Sequence, residues 1–247
     1  MTNEFPKSAM ILAAGLGKRM RPLTYRTPKP LLTVAGRAII DYALDHSKEA
    51  GVEKVIINIH HLANKIKLHL ENRKDVEIVF SDESNELLET GGGVTKALPH
   101  LGKTPFYVIN GDILWLDGPT PALNRLAAFW NEHDMDGLLL LHSTVEAYGY
   151  SGPGDFIIDA MGKLIRRPEH QISPYLFAGV QILHPELFEK APAGAFSLNL
   201  LYDRSIDAGR LFGIVHDGDW ERSKSAMPTT FLYGIGTAFA SILILNN

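Results

Sequence analysis

Apolar and polar positions along the chain follow two alternating rhythms. Short apolar runs at Ser8 to Ala14, Val55 to Asn58, Val76 to Ser81, Phe106 to Asn110 and Gly137 to His142 predict strands buried on both faces. Between them, Ala38 to Ala50, Ala63 to Glu71, Thr90 to Leu98 and Pro119 to Glu132 carry apolar residues at helical spacing, and Gly51 closes the first of these helices. Such alternation predicts an α/β fold with an open, mostly parallel, Rossmann-like sheet flanked by helices. The rhythm breaks from Tyr148 to Pro174, where Gly152, Pro153, Gly154, Gly162 and Pro168 punctuate short polar segments. That stretch predicts a small antiparallel excursion. Tyr175 to Leu183 then returns to the core, Leu198 to Ala208 reads as an amphipathic helix and Leu211 to Val215 as a late strand.

A chain of 247 residues, 45% hydrophobic, can bury one substantial core, so residues 1–247 are expected to form a single domain. Its end departs from the pattern. From 221 to 247 the tail is atypical, and Phe231 to Leu245 is apolar and uncharged yet shorter than the ~20 residues that span a bilayer. It reads either as a buried terminal element or as an altered C-terminus. The absence of cysteine excludes disulfides, a thiolate nucleophile and cysteine zinc sites. Met1 to Lys7 holds Glu4 and Pro6 without an apolar run, which argues against a signal peptide and for a cytoplasmic protein. A net charge of -4 without basic-aromatic interleaving makes nucleic acid or membrane an unexpected partner.

Local charge contradicts that global balance. Lys7, Lys18, Arg19, Arg21, Arg26, Lys29 and Arg37 lie in the first forty residues, where Glu4 is the only acid. The cations surround a glycine turn, Leu12-Ala13-Ala14-Gly15-Leu16-Gly17-Lys18-Arg19-Met20, which leaves the first predicted strand. Glycines there let backbone N–H groups approach an anion, and the cations supply countercharge, so the turn is expected to handle phosphate. It is neither of the two common phosphate loops. Met20 stands where a dinucleotide fingerprint needs its third glycine, and Arg19 stands where a Walker A loop needs Ser or Thr. His60 and His61 read as loop residues, and Pro153 excludes a hydrolase elbow at Ser151.

The run from Leu12 to Thr24, followed by Pro28-Lys29-Pro30-Leu31, resembles the signature of the sugar-1-phosphate nucleotidyltransferases. Leu88-Glu89-Thr90-Gly91-Gly92-Gly93, Asn110-Gly111-Asp112 and Leu183 to Phe188 follow in the family's order, so the resemblance covers roughly residues 8 to 220. Glu89 to Gly93, Gly154-Asp155-Phe156 and Gly194-Ala195-Phe196 together resemble the members that transfer uridylate to N-acetylmuramate 1-phosphate. The resemblance implies a fold of nucleotidyltransferase type and attack by a sugar 1-phosphate oxygen on the α-phosphorus of a nucleoside triphosphate, UTP in this subgroup. A mannose-1-phosphate guanylyltransferase is the neighbouring alternative. It also implies roles. Leu12, Ala13, Ala14, Gly15, Gly17 and Arg19 would hold the triphosphate, and Glu89, Gly91 and Gly92 would lie against base and ribose, with free N–H groups at the following helix start. Lys29 would bind the α-phosphate and the sugar phosphate, and Asn110 and Asp155 the sugar. Asp112 would hold Mg²⁺, so that Arg19, Lys29 and Asp112 are the catalytic candidates. Lys18 reads equally as a ligand or an exposed neighbour, and Asp155 as a sugar contact or a turn carboxylate.

One part of the pattern is missing. Where the family places an acid two residues after its late tryptophan, as second metal ligand, this chain has Arg222 after Trp220. Asp217, Asp219 and Glu221 are the candidate substitutes, with Ile235-Gly236-Thr237 a displaced version of the element. The same substitution motivates a rival expectation, a nucleotide-binding protein with impaired catalysis.

Overall fold

The structure, a computed structural model, describes residues 5–147 and 150–222. Strand β1 (Ser8–Leu12) runs straight into the glycine turn, and the basic segment after it folds as three single 3₁₀ turns before a two-residue hairpin, β2 (Thr33–Val34) and β3 (Arg37–Ala38). Three βα units follow. Helix α1 (Ile39–Glu49) leads to β4 (Lys54–Ile59), α2 (Ala63–Leu70) to β5 (Glu77–Asp82), and α3 (Glu89–Leu101) to β6 (Phe106–Asn110). The core residues of β1, β4 and β6 are almost wholly inaccessible, as runs such as Val55-Ile56-Ile57 require when both sheet faces are covered. In the parallel register, β1 lies between β4 and β6, and β5 extends the sheet beyond β4.

The second half is mixed. After β7 (Ile113–Trp115) and α4 (Ala122–Phe129), β8 (Gly137–Ser143) begins the far side of the sheet. The predicted excursion is a hairpin, β9 (Phe156–Ile158) and β10 (Leu164–Arg166), whose strands pair antiparallel. Strand β11 (Tyr175–Leu183) runs antiparallel to both β6 and β8 and joins the two halves into one nine-stranded sheet. Helix α5 (Asn199–Asp207) and β12 (Leu211–Val215) follow, β12 parallel to β8. Two apolar clusters, one on each face, sandwich the sheet.

Two short strands escaped the apolar pattern. Strand β7 and the closing β13 (Trp220–Arg222) form a separate antiparallel ribbon, Trp220 opposite Trp115 and Arg222 opposite Ile113. Three residues are too few to show a period. The expected tail boundary at 221 therefore falls inside β13, while the apolar stretch Phe231 to Leu245 and the Ile235-Gly236-Thr237 element lie outside the described residues. Among the described residues no helix is long and apolar enough to cross a membrane.

The start of α3 also differs from expectation. The N–H groups of Gly91 and Gly92 are not free for a ligand, because they donate to the Phe196 carbonyl at 2.8 and 3.2 Å. Phe196 N–H donates in return to Leu88 O, and Leu198 N–H to Thr90 Oγ1 at 2.9 Å. The glycines thus dock the 194–198 segment. A Cβ on Gly91 would stand 2.3 Å from the Phe196 ring, and one on Gly92 2.3 Å from the Gly194 carbonyl oxygen. Gly91→Ala is expected to cost about 1–3 kcal/mol through overpacking, read as a fall in the midpoint of a denaturant titration; an unchanged midpoint would contradict this packing role.

Candidate active site

The parallel register decides where the chemistry gathers. Leu12, the last residue of β1, pairs with Asn58 on one side and Asn110 on the other, so the loops leaving β1, β4 and β6 open at one level. Open α/β sheets bind ligands at such a carboxyl edge. A cleft of about 580 Å³ lies there, walled by the Leu12–Met20 turn, Lys29, Pro30, Asn58, Leu87, Glu89, Thr90, the Asn110–Asp112 corner and Ser197. It brings together Leu12, Ala13, Ala14, Gly15, Gly17, Arg19, Lys29, Glu89, Asn110 and Asp112 of the residues expected from sequence. Gly91 and Gly92 stand behind the wall as packing residues, buried against Phe196 and Gly194.

Hydrogen bonds from two residues not foreseen as functional hold the glycine turn in place. Ala13 N–H donates to Asn58 Oδ1 at 2.7 Å, Asn58 Nδ2 donates to Glu83 Oε1 at 2.7 Å, and Glu83 Oε2 accepts Leu88 N–H at 3.1 Å. Both side chains are buried, Glu83 at 1% exposure, where an unpartnered carboxylate would be very costly. The network couples the phosphate turn to the Leu87–Thr90 wall opposite. Asn58 carried a faint signal, a polar residue ending a buried strand. Glu83 carried none, lying between Asp82 and Ser84 in a polar turn.

The two glycines of the turn are needed for different reasons. Gly17 has a left-handed backbone, φ 59°, and an added Cβ would meet Thr24 Cγ2 at 2.7 Å, while Thr24 Oγ1 donates to the Gly17 carbonyl at 2.8 Å. Gly15 has neither constraint: its φ is not positive, and a Cβ there would meet no protein atom within 4 Å. The space beside Gly15 belongs to the cleft.

Cations divide as geometry dictates. Lys7 and Arg37 leave the cluster, pairing with Glu53 and Asp45. Lys18 and Arg19 are exposed on the cleft, and neither side chain has an acidic partner among the described residues. Lys29 Nζ reaches Asp112 Oδ2 at 2.6 Å, the two side chains 15% and 26% exposed. Pro28 and Pro30 bracket Lys29 in a 3₁₀ turn, and the pair closes the cleft floor between phosphate turn and strand end.

A second cavity, about 210 Å³, adjoins the first, and Asn110 lines both. Asp155 lies here with Phe156, Arg166, Phe177, Asn199, Tyr202 and Trp220. The bulge in β11 between Phe177 and Gln181 shapes its wall: the Ala178 carbonyl, out of the ladder, accepts Trp220 Nε1–H at 2.7 Å. Asp155 Oδ2 accepts Phe177 N–H at 2.9 Å, which fixes the carboxylate at the rim.

The substitutes for a second metal ligand are placed elsewhere. Asp217 is committed to Arg125, Oδ1 to Nη1 at 2.7 Å, and Asp217, Asp219 and Glu221 line neither cavity. No group of three acidic or histidine side chains suited to a metal occurs among the described residues. Of the residues lining the cleft, Glu89 and Asp112 carry carboxylates, and Asp112 stands beside Lys29. A carboxylate at this place fits a divalent cation that keeps most of its waters. Burial pushes the Glu221 carboxyl up to about 7.

Comparison with known proteins agrees with this geometry. Residues 8–198 match the family model for nucleotidyl transferase, which spans both the glycine turn and the 194–198 segment. The chain belongs to the nucleotidyl transferase family. The N-acetylmuramate alpha-1-phosphate uridylyltransferase of Caulobacter vibrioides is 41% identical over 222 residues, 88% of this chain and 92% of that protein. The protein of the same name from Neisseria meningitidis serogroup B is 39% identical over 216 residues, 86% and 90% of the two chains. Among solved structures, the inositol-1-phosphate CTP transferase of T. maritima superposes with a TM-score of 0.74 at 17% identity, covering 93% of this chain and 95% of that one. The chain is therefore a nucleotidyltransferase of the sugar-1-phosphate class, and enzymes of its family use a divalent metal.

Two predictions follow from the site. Gly15→Ala should leave stability within about 0.5 kcal/mol and weaken triphosphate binding, whereas Gly17→Ala should lower stability by about 1–3 kcal/mol; calorimetric titration beside thermal unfolding separates them, and equal stability losses would refute the distinction. Glu221, whose carboxyl is raised from 4.5 to about 7 in the fold, holds a proton that the unfolded chain releases, so its contribution falls as pH rises from about 5 to 8. Glu221→Gln should match the wild-type melting temperature at pH 5 and exceed it at pH 8; parallel curves would show that Glu221 titrates normally.

Proposed function

We propose that the protein transfers uridylate from UTP to N-acetylmuramate 1-phosphate, releasing pyrophosphate and forming a nucleotide sugar in cytoplasmic peptidoglycan recycling. The observation that carries this reading is the Lys29–Asp112 pair set at 2.6 Å between the phosphate turn and the second cavity, in a chain about 40% identical to uridylyltransferases of that name. A phosphoryl group held at that point has the triphosphate cleft on one side and a pocket of aromatic and polar side chains, suited to a sugar, on the other.

Each residue then has a physical task. Backbone N–H groups at Gly15 to Gly17 and the forked Arg19 guanidinium bind the β- and γ-phosphates and draw charge toward the leaving pyrophosphate. Lys29 separates from Asp112 and places its ammonium between the α-phosphate and the sugar phosphate, two anions that repel each other until a cation lies between them. Glu89 and Thr90 face the base and ribose. Asn110, shared by the two cavities, and Asp155 accept or donate hydrogen bonds at the sugar hydroxyls. Asp112 holds Mg²⁺, which supplies, when bound, positive charge to the phosphoryl oxygens. The attacking oxygen is already an anion, so no side chain has to remove a proton, and no covalent intermediate forms. Residues 1–247 act as a single domain in this reading.

The test is pyrophosphate release with Mg²⁺, UTP and N-acetylmuramate 1-phosphate, run beside GTP with mannose 1-phosphate and beside UTP alone. Release in the first mixture only is expected. Release with GTP and mannose 1-phosphate would make the protein a guanylyltransferase. Triphosphate binding with silence in every mixture would favour a binding protein of impaired catalysis. Lys29→Ala should lower turnover about 10²- to 10³-fold while the chain stays folded by circular dichroism at the assay temperature, and a near-normal rate would remove Lys29 from the mechanism.

A further inference from the structure

The second cavity contains one cation, and its placement matches the one feature that separates N-acetylmuramate from ordinary sugars. Of the residues lining that pocket, Arg166 alone is basic. Its guanidinium is held as a plate: Nε donates to Asp203 Oδ1 at 2.6 Å, Nη2 to Asn199 Oδ1 at 3.0 Å and to the Asn199 carbonyl at 3.3 Å, and its central carbon lies 4.7 Å from the centroid of the Phe156 ring beneath it. Neighbouring Arg167 is turned away, spending its donors on the carbonyls of Gly154, Pro168 and Gln171. Arg166 Nη1 has no hydrogen-bond partner among the described residues. The Asp203 side chain is 56% exposed, so its ion pair with Arg166 is a water-screened contact that orients the guanidinium without consuming its charge.

Resting on the uridylyltransferase reading above, we propose that Arg166 recognises the lactyl carboxylate of the sugar substrate and so selects an acidic sugar over neutral ones. The chemistry of the substrate demands charge at two separate places. Its phosphate is on C1 and its lactyl ether on C3, and the two groups leave the ring in different directions. Here the cavities meet at Asn110, with Lys29 and Asp112 on the phosphate side and Arg166 on the β10 wall of the sugar side. With Nε and Nη2 engaged, Nη1 is the guanidinium nitrogen left to donate to a carboxylate, and stacking on Phe156 holds the plane in place. A neutral hexose or N-acetylhexosamine 1-phosphate would leave Arg166 with Asp203 as its counterion and would offer Nη1 no anion.

The test crosses the arginine with the carboxylate. Rates are measured with UTP and Mg²⁺ for N-acetylmuramate 1-phosphate and for its lactyl methyl ester, which keeps the shape and removes the charge, using wild type, Arg166→Gln, Arg166→Lys and Asp203→Asn. In the wild type, kcat/KM should fall about 10- to 100-fold from acid to ester. Arg166→Gln should lose a similar factor on the acid, chiefly through KM, and distinguish acid from ester by less than about twofold. Arg166→Lys should retain part of the preference, because it keeps the charge without the fork. Asp203→Asn breaks the same ion pair yet should still prefer the acid, which a purely structural role for the pair does not predict. Equal losses on acid and ester in Arg166→Gln would overturn the assignment of Arg166 while leaving the enzyme's reaction intact. A wild type that uses neither acid nor ester would overturn the underlying reading and this inference with it.

Discussion

Everything at this site depends on the levelling of three parallel strand ends. Because Leu12 is in register with both Asn58 and Asn110, the chain must leave β1, β4 and β6 at the same height, and the glycine turn, the Asn58 side chain and the Asn110–Asp112 corner meet without any of them reaching. A one-residue slip of β1 would send its buried residues to the wrong face, so hydrophobic burial fixes the site to within a residue. Polar bonds then do what apolar packing cannot. The buried Asn58–Glu83 pair fixes the Ala13 amide and the Leu88 amide with directional contacts, and sets the distance between the two walls of the cleft.

That division explains what the sequence discloses. The β1 to β6 half was readable because parallel strands buried on both faces are continuous apolar runs and their helices carry a distinct period. The place of the glycine turn on the cleft was readable because glycines and cations contradict the acidic balance of the chain. What the pattern missed is either short or non-local. Strands β7 and β13 have three residues each, and their pairing joins positions about a hundred residues apart. Glu83 is indistinguishable from a surface acid until β5 is placed beside β4 and its carboxylate turns toward Asn58. Gly91 and Gly92 mislead in the opposite sense: glycines before a helical pattern look like a ligand's landing place, and here the ligand of those amides is the protein's own Phe196 carbonyl.

The segment 194–198 therefore has a part in the cleft that its sequence does not advertise. By capping α3 it holds Thr90 and presents Ser197 to the cavity, so the wall opposite the phosphate turn is assembled from two stretches a hundred residues apart. The family match ending at 198 includes this strap. Residues on that wall sit on a helix start and a docked strap, both closed by backbone bonds, whereas Arg19 and Lys18 opposite are exposed on a single 3₁₀ turn.

Charge is arranged with the same economy. Lys29 and Asp112 neutralise each other, which lets two largely buried charged groups line the cleft without an unpaired ion. Such a pair is poor evidence of stability, since desolvation offsets most of its attraction, but it is well suited to exchange. In the proposed mechanism a phosphate would offer Lys29 an anion and a cation would offer Asp112 its counterion, so both residues would trade one partner for another. The exchange also couples the two arrivals. An anion that takes Lys29 alone leaves Asp112 unpaired in a partly desolvated cleft, and a cation that takes Asp112 alone leaves Lys29 beside it; the lowest-energy occupied state is the one holding both. In the proposed mechanism this 2.6 Å contact would favour binding the metal and the polyphosphate together.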